Sequence, residues 1–464
     1  MSQVKKENPM GYAPINKILW QFAIPATVAI VVQFLYNIVD QIFIGQGVGY
    51  LGNAATTVAL PLMTMVTFFT TFIGAGGSAF AAIKMGAKEH EVAEVALNNT
   101  FVMALSAGII YAVLGLTFLE PILRFFGATD SVLPYAKDYA GILLAAAPIA
   151  VVGPSISNFV RADGQPRLAM YSVMTGAVLN CFLDPLYIFV FKWGVKGAAI
   201  ATVTAQCISV IVNCGWFLTR GSIRLKPSKM KLVPDICKQI LTLGSSSAVN
   251  QIVNITMQII LNNSLAFYGA MSAIGADIAL SSMGITMKIS MLLTSLCLGI
   301  GVGAQAIFGF NYGAKKYDRV KKLYKTAVSS AVMSLVVGWA ICQIFPTQIV
   351  ALFGGGSEEF RSFAVMCIRV YLGAIFCAGI QMVSVNYFQA TGQPLKATIL
   401  SLLRQVILML PLLLIIPKFF GVYGVLYAGP ITDALAAVIV CFLIIPEMRR
   451  LDKLIKEMPE PSPL

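Results

Sequence analysis

Twelve long apolar stretches, separated by short polar breaks, constrain this chain more than any other feature. Each is long enough to cross the hydrocarbon core of a bilayer, which takes about 20 mainly apolar residues in a helix. Lipid-exposed backbone must satisfy its own hydrogen bonds, and the alternating pattern of a membrane barrel is absent, so the spans are predicted to be helices. The predicted spans are 17–43, 51–83, 91–119, 134–158, 166–190, 194–219, 235–268, 272–309, 317–345, 359–389, 394–416 and 422–446.

Composition agrees with a membrane location. The chain is 58% hydrophobic and 11% charged, whereas soluble domains are about a quarter charged. The polar start, residues 1–16, lacks the short apolar core and small-residue cleavage site of a signal peptide, so the first span itself is expected to direct membrane insertion. We therefore predict an all-α polytopic membrane protein with twelve transmembrane helices.

The basic residues are distributed unevenly between the two sides of the membrane. If the predicted spans are followed in order, 24 Lys and Arg residues fall on the side of the N-terminus and seven on the opposite side. This asymmetry is typical of the positive-inside rule and predicts that both termini are cytoplasmic, in a bacterial or archaeal cell membrane. The net charge is +13, and anionic lipid headgroups suffice as partners for the basic loops. No nucleic-acid partner is therefore expected.

An internal repeat divides the chain in two. "NFVRADGQP" (158–166) recurs as "NYFQATGQP" (386–394) at an offset of 228, and "GAGGSAFAAIKMGAK" (74–88) aligns with "GVGAQAIFGFNYGAK" (301–315) at an offset of 227. The predicted domains are a cytoplasmic segment 1–16, an N-lobe 17–219, a basic linker 220–234, a C-lobe 235–446 and a cytoplasmic tail 447–464. Parallel duplications of this kind are common in secondary transporters, although a duplication without transport is also possible.

The span 166–190 contains an acid where lipid would penalise it. A carboxylate at the centre of a spanning helix costs a few kcal/mol or more unless it faces a cavity or a partner, so Asp184 is expected to point inward. Asn180 lies four residues earlier on the same helix face. Pro185 removes a backbone donor and frees a carbonyl nearby. Because hard cations prefer oxygen ligands, these groups indicate a cation site.

Other spans offer matching polar groups. In the first span Tyr36 and Asp40 share one face, and Pro25 lies where the helix could bend. Thr202 and Tyr139 supply further hydroxyl groups from two other spans. Four more residues, Gln33, Asn37, Asn158 and Gln206, are candidates for a substrate cavity. For all the amide and hydroxyl groups, plain helix-to-helix hydrogen bonding is an equally open interpretation.

Several stretches together resemble the multidrug and toxic compound extrusion (MATE) family, and within it the DinF-like branch. They include "FAIPATVAIVVQFLYNIVDQIFIG", "RADGQP", "LNCFLDPLYIF" and "GVKGAAIATVTAQ", and the resemblance extends from Lys17 to Pro446. It implies two six-helix bundles of the MATE/MOP type. The implied activity is export of small cationic amphiphilic drugs by alternating access, in antiport with H⁺ or Na⁺.

The resemblance also implies an N-terminal ion or proton site at Asp40, Asn180, Asp184 and Thr202, with Tyr36 and Tyr139 as additions and with Pro25 and Pro185 as helix hinges. Helices 235–268 and 359–389 contain no acid in their central parts, unlike the NorM-like branch, so coupling is expected in the N-lobe alone. Lys288, Arg404, Asp277 and Asp433 are charged outliers to which no role is assigned, because snorkelling or an internal ion pair explains each at least as well as contact with a substrate.

Two other classes of protein remain as alternatives. A lipid-linked oligosaccharide flippase of the related superfamily would need a basic cavity to bind the anionic headgroup of its substrate. The polar residues in these spans are instead mainly acids and amides. An enzyme would need a nucleophile with its base or a metal cluster; the nine cysteines show no C-x-x-C spacing and His90 is the only histidine. We expect no enzymatic activity, no cofactor beyond the coupling ion, no metal beyond a Na⁺ at the acid cluster, and a monomer.

Overall fold

The computed structural model describes residues 9–126, 128–352 and 358–457, which form helices joined by short turns. Parts of the predicted cytoplasmic segments, 1–8 and 458–464, lie outside the described residues. Interruptions of the α-helical pattern include π-helical segments at Thr70–Ala75, Leu186–Val190 and Leu403–Met409. The α-helices are α1 (Ile15–Val48), α2 (Tyr50–Phe69), α3 (Gly76–Gly86), α4 (His90–Thr117), α5 (Leu119–Phe125), α6 (Leu133–Ala145), α7 (Ala147–Ala162), α8 (Pro166–Pro185), α9 (Gly194–Thr219), α10 (Pro234–Ala270), α11 (Ala276–Gly313), α12 (Tyr317–Ile344), α13 (Pro346–Leu352), α14 (Glu358–Tyr371), α15 (Ala378–Ala390), α16 (Pro394–Leu402), α17 (Leu410–Phe420) and α18 (Val422–Lys456).

The helices match the predicted spans closely. Within the described residues, ten helical stretches are long and apolar enough to cross a membrane, and α6 with α7, which meet at a bend of 52°, make an eleventh. The remaining predicted span, 235–268, is helical throughout as α10; its many amide and hydroxyl side chains make it less apolar than the others. The all-α, multi-pass membrane fold predicted from the sequence is confirmed.

Contacts divide the chain into two units that differ from a simple cut at the linker. Unit 1 contains Ile24–Ala248 together with residues up to Tyr12, and unit 2 contains Ala13–Ala23 and the chain from Val249 onward. Helix α1 therefore begins in unit 2 and continues in unit 1, while α10 begins in unit 1 and continues in unit 2. The two crossing points, at residues 24 and 249, are 225 residues apart, close to the repeat offset.

Left-handed backbone conformations recur in the two halves of the chain at the spacing of the sequence repeat. Lys88 and Lys315 end matching helices with φ of 65° and 56°, a left-handed conformation that glycine or asparagine usually occupies at a helix C-terminus. In both turns the next residue donates to a carbonyl five residues back, from Glu89 to Lys84 and from Lys316 to Asn311, each at 2.9 Å. Gly164 and Gly392 are a second left-handed pair, with φ of 86° and 75°. Left-handed residues therefore recur at spacings of 227 and 228, the same offsets as the sequence repeat, which indicates that the two halves share one fold.

In unit 1 the linker 220–234 is held by side chains of α4. Asn98 donates from Nδ2 to the Arg224 carbonyl at 2.9 Å and accepts from the Lys226 N–H at 2.9 Å. The Glu94 carboxylate contacts the ammonium groups of Lys226 and Lys229 at 2.9 and 3.0 Å. The linker is thus an ordered part of unit 1.

Candidate cation site

Two carboxyl groups meet inside unit 1. Asp40 lies on α1, eight residues before its last residue, and Asp184 lies on α8 directly before Pro185. Asp184 is fully buried, Asp40 is 4% exposed, and their side chains hydrogen-bond to each other. Two carboxylates in such contact repel strongly in a low-dielectric interior unless a proton or another cation lies between them. The pair is therefore suited to holding one positive charge.

Asn180 connects the acids to α9. In one orientation of its amide, Nδ2 makes only long contacts, 3.3 Å to Asp184 Oδ1 and 3.4 Å to Thr202 Oγ1. When the amide is turned by 180°, Nδ2 donates to Asp184 Oδ2 at 2.7 Å and Oδ1 accepts from the Thr202 N–H at 3.2 Å. We adopt the second orientation because it satisfies both ends of the amide. Asn180 then fixes the position of the Asp184 carboxylate.

Hydroxyl groups complete the cluster. The Tyr36 hydroxyl lies 3.4 Å from Thr202 Oγ1, and Tyr139, 7% exposed on α6, lies within electrostatic range of Asp40 and Asp184. Tyr139 also belongs to an apolar core of unit 1 that includes Ile44 and Ile188. The structure thus brings together all six residues predicted for the cation site, which we call the acid cluster: Tyr36, Asp40, Tyr139, Asn180, Asp184 and Thr202.

The acid cluster offers oxygen ligands for a cation. Oδ1 of Asp40 is buried and has no hydrogen-bond partner within the described residues. Across the same residues no group of three or more His, Cys, Asp or Glu side chains has the arrangement of a metal site. Oxygen donors in this number suit a proton or an alkali cation such as Na⁺, and the carboxylates supply the negative charge.

The helix geometry at Pro185 explains why the acid lies there. Pro185 cannot donate a backbone hydrogen bond, and the chain continues as the π-helical segment Leu186–Val190, in which Phe191 donates to the Leu186 carbonyl at 3.0 Å. Short π-helical segments widen a helix locally and are frequent at functional sites. The carboxylate of Asp184 thus lies where α8 stops being regular.

The acid cluster lies towards one end of the helices that form it. Asp40 is about 12 Å from the end of α1, and Thr202 is about 12 Å from the start of α9, at a rise of 1.5 Å per residue. The end of α1 and the start of α9 are at the opposite end of the helices from the basic turn that connects α3 and α4.

The candidates for a substrate cavity have separate surroundings. Gln33 and Asn37 are exposed, and Asn37 donates to the Gln33 carbonyl of its own helix at 2.8 Å. Asn158 accepts from Arg161. Gln206 is half-buried, and its Oε1 has no hydrogen-bond partner within the described residues. Pro25 is buried, and α1 passes through it without a break, one residue after the crossing point between the units.

One residue near the cluster was not among the predicted site residues. Cys181 lies on α8 within electrostatic range of both acids. Its spacing of three residues from Asp184 places it on the same helix face, and that spacing was a signal that could have identified it.

In unit 2 the charged outliers separate into different environments. Arg404, in the π-helical segment Leu403–Met409, donates from Nε to Asp433 Oδ1 at 2.6 Å, and Asp433 is 3% exposed. Lys288 is exposed on α11. The side chain of Asp277 lies outside the described residues. Arg404 and Asp433 therefore form an internal ion pair, one of the interpretations left open for these residues.

Comparison with known proteins gives consistent matches along the chain. The MatE family model matches residues 25–186 and 243–415. The multidrug export protein MepA of Staphylococcus saprophyticus is 24% identical over 442 residues, covering 93% of this chain and 94% of that protein. MepA of Staphylococcus aureus (strain MSSA476) is similar to the same extent.

Solved structures share the fold. A MOP superfamily transporter from Pyrococcus furiosus matches with a TM-score of 0.89 at 22% identity, over 97% of this chain and 100% of that one. A structure described as an outward-facing multidrug resistance MATE family transporter matches with a TM-score of 0.90 at 23% identity and the same coverage. The MATE/MOP fold predicted from the sequence is confirmed.

Proposed function

The chain belongs to the MatE family, and from that premise we propose that it is a secondary active multidrug exporter. Its substrates are small cationic amphiphiles, exchanged for H⁺ or Na⁺ by alternating access. The observation that supports coupling is the contact between the buried carboxyl groups of Asp40 and Asp184. A pair of acids that needs a cation to relieve its repulsion can transmit ion binding to the surrounding helices.

The proposed step begins with one cation entering the acid cluster. Its charge reduces the negative charge of the carboxyl pair by one unit, so a bound cationic drug loses electrostatic attraction to this unit and is released on the outer side. Helix α1 bends at Pro25, next to the point where the helix passes from one contact unit to the other. Pro185, with the irregular turn after it, is the second proposed hinge.

Topology follows from the charge distribution. We propose that both termini are cytoplasmic, that the acid cluster lies in the outer half of the membrane, and that a monomer in the bacterial or archaeal cell membrane suffices for transport. A fluorescent protein that folds only in the cytoplasm, fused after residue 464, is expected to fluoresce. A dark fusion with normal expression contradicts this orientation.

The decisive experiment is transport in proteoliposomes with proton and sodium gradients imposed separately. Export of a fluorescent cationic dye should follow at least one of the gradients, and Asp184→Asn should lower the gradient-driven rate by about tenfold or more, because the loss of one charge-assisted interaction of 1.4 kcal/mol is already tenfold.

The matched control is Asp138→Asn, one residue before Tyr139. Asp138 is 43% exposed and pairs with Lys196 at 3.3 Å, and such surface pairs contribute little. This variant should transport as the unaltered protein does. Dye export that is indifferent to both gradients contradicts antiport. Translocation of an anionic lipid-linked sugar without dye export favours the flippase alternative instead.

A further inference from the structure

A basic cavity lies at one end of unit 2. It has a volume of about 620 Å³ and is formed by the first residues of α1 and α12. Its lining consists of Pro14, Ile15, Asn16, Asp318, Arg319, Lys322, Lys325 and Thr326. Arg319 joins the two helices because its guanidinium donates to the Ala13 carbonyl at 2.6 Å and to Asn311 Oδ1 at 3.1 Å. The cavity therefore has a fixed wall.

The charge of the cavity is positive. Three cations, Arg319, Lys322 and Lys325, face one carboxylate, Asp318, so the lining carries a net charge of +2. Lys322 and Lys325 are exposed, and within the described parts of the chain neither ammonium group forms an ion pair. Lysines held three residues apart on one helix face, with their ammonium groups outside any ion pair, favour an anionic ligand.

The depth of the cavity matches the headgroup layer. Lys322 and Lys325 lie about 8 and 12 Å from the start of α12, which at 28 residues is about 42 Å long. A helix of this length extends past a hydrocarbon core of about 30 Å. The residues of α12 after Lys325 are uncharged, so the excess length of about 12 Å is expected at the start of the helix, and both lysines fall within it, at the level of the lipid headgroups.

Met333 and Val337 form a short apolar stripe further along the helix face of Lys322. Met333 is 63% exposed and Val337 54% exposed, and residues 322, 326, 333 and 337 follow one face at spacings of four or seven. Met333 lies about 16 Å further along the axis than Lys322. A polar anion in the cavity and a hydrocarbon chain on this stripe would together have the shape of one phospholipid.

We propose that this cavity binds the phosphate headgroup of an anionic phospholipid, with an acyl chain lying against Met333 and Val337. The phosphate accepts hydrogen bonds from Lys322 and Lys325, and the Asn16 amide supplies a neutral donor. Because the lining includes both α1 and α12, the bound lipid stabilises the start of α1 against α12 in unit 2. Basic pockets between spanning helices on the cytoplasmic side are suited to such headgroups.

The test is binding to the full-length purified protein, freed of lipid in detergent, by native mass spectrometry. Phosphatidylglycerol, phosphatidylcholine with the same chains, and inorganic phosphate are titrated separately. Phosphatidylglycerol should bind more tightly than the other two. The double variant Lys322→Gln/Lys325→Gln should weaken it about 10- to 30-fold, since each basic residue near a membrane surface contributes roughly 1 kcal/mol.

Two variants keep the result interpretable. Lys453→Gln/Lys456→Gln removes the same charge from exposed positions of α18, whose end lies beside α12 through the contact of Lys321 with Asp452, and it should bind as the unaltered protein does. Lys322→Arg/Lys325→Arg should retain binding, which excludes a folding defect as the cause. Equal weakening in both glutamine variants, no weakening in either, or inorganic phosphate binding as tightly as the lipid would each overturn the proposal.

Discussion

Thr202 is the residue at which coupling can be tested with least disturbance of the fold. Its hydroxyl lies 3.4 Å from the Tyr36 hydroxyl within the acid cluster. The isosteric change Thr202→Val removes that oxygen, and a hydrogen bond of about 1 kcal/mol corresponds to roughly fivefold weaker apparent affinity for the coupling ion. The measurement is the dependence of dye export in proteoliposomes on H⁺ and Na⁺ concentration.

Thr204→Val provides the comparison on the same helix. The Thr204 hydroxyl donates to the Ile200 carbonyl at 2.8 Å and has no part in the acid cluster. Its loss should leave the ion dependence unchanged. If both variants shift the ion dependence equally, the hydroxyl of Thr202 is a helix-to-helix contact only.

At this scale the sequence predicted Asp184 and Asn180 for a physical reason, and the resemblance to the MATE family supplied the other residues of the acid cluster. A buried carboxylate is costly in lipid, so Asp184 had to point inward, and helical spacing placed Asn180 beside it. The contact of Asn158 with Arg161, three residues later on α7, also follows from helical spacing. Spacing along one helix does not show what another helix brings near, so the exposure of Gln33 and Asn37 could not be predicted.

At the scale of elements, the first part of α10 depends on backbone contact. A Cβ at Gly244 would lie 1.7 Å from the Phe72 carbonyl oxygen, in the π-helical segment before α3. Gly244→Ala should therefore lower the free energy of unfolding by about 1–3 kcal/mol, the usual cost of overpacking. Thermal unfolding of the purified protein, followed by the loss of its monodisperse peak in size-exclusion chromatography, measures this.

Gly215→Ala is the matched substitution in α9, where a Cβ meets no atom within 4 Å. Alanine is the better helix former by up to about 1 kcal/mol, so this variant should be neutral or more stable. If the Gly244→Ala and Gly215→Ala proteins have the same melting temperature, the close packing of α10 is contradicted.

The turn after Pro185 is expected to favour transport at a cost in stability. Pro185→Ala restores a backbone donor and lets α8 continue as a regular helix, which should raise the melting temperature and lower gradient-driven export severalfold. Pro154→Ala, at an exposed proline within α7, should not lower export. Unaltered export by Pro185→Ala would remove Pro185 from the list of hinges.

Several helix ends could be predicted from the sequence, whereas the bend and the π-helical segments within the spans could not. Glycine and proline mark the ends, as at Pro166 and Gly194, so predicted and observed bounds coincide there. The bend at Ala146 and the π-helical segments are shifts of backbone register, which do not change the apolar content of a span. Apolar length alone therefore predicted unbroken helices.

At the scale of the whole molecule, the crossing helices make each half of the chain incomplete. A fragment 1–233 lacks Pro234–Ala248 of unit 1, and a fragment 234–464 lacks Ala13–Ala23 of unit 2. Each fragment expressed alone should be unstable and aggregate, whereas co-expression should recover a monodisperse species that transports dye. Size-exclusion chromatography of fluorescently tagged fragments measures this outcome. Stable isolated fragments would argue against the exchange of helix starts, in which α1 begins in unit 2 and α10 begins in unit 1.

The repeat in the sequence predicted two related halves, and the left-handed turns at Lys88 and Lys315 agree with it. The exchange of helix starts was not predictable, because residues 13–23 and 234–248 carry no pattern that states which bundle they join. Contacts between distant segments decide that question, and a repeat reports only what is similar within the chain.

The reciprocal exchange has a consequence for the history of the fold. A single ancestral copy of the repeat, built in the same way, would have had one helix without its proper surroundings, and a second copy would have supplied them. Such a peptide would have worked only as a dimer. Gene duplication and fusion would then have converted an obligate homodimer into one polypeptide. Its two halves would have been free to diverge, one keeping a pair of acids in unit 1 and the other gaining an arginine beside an acid in unit 2.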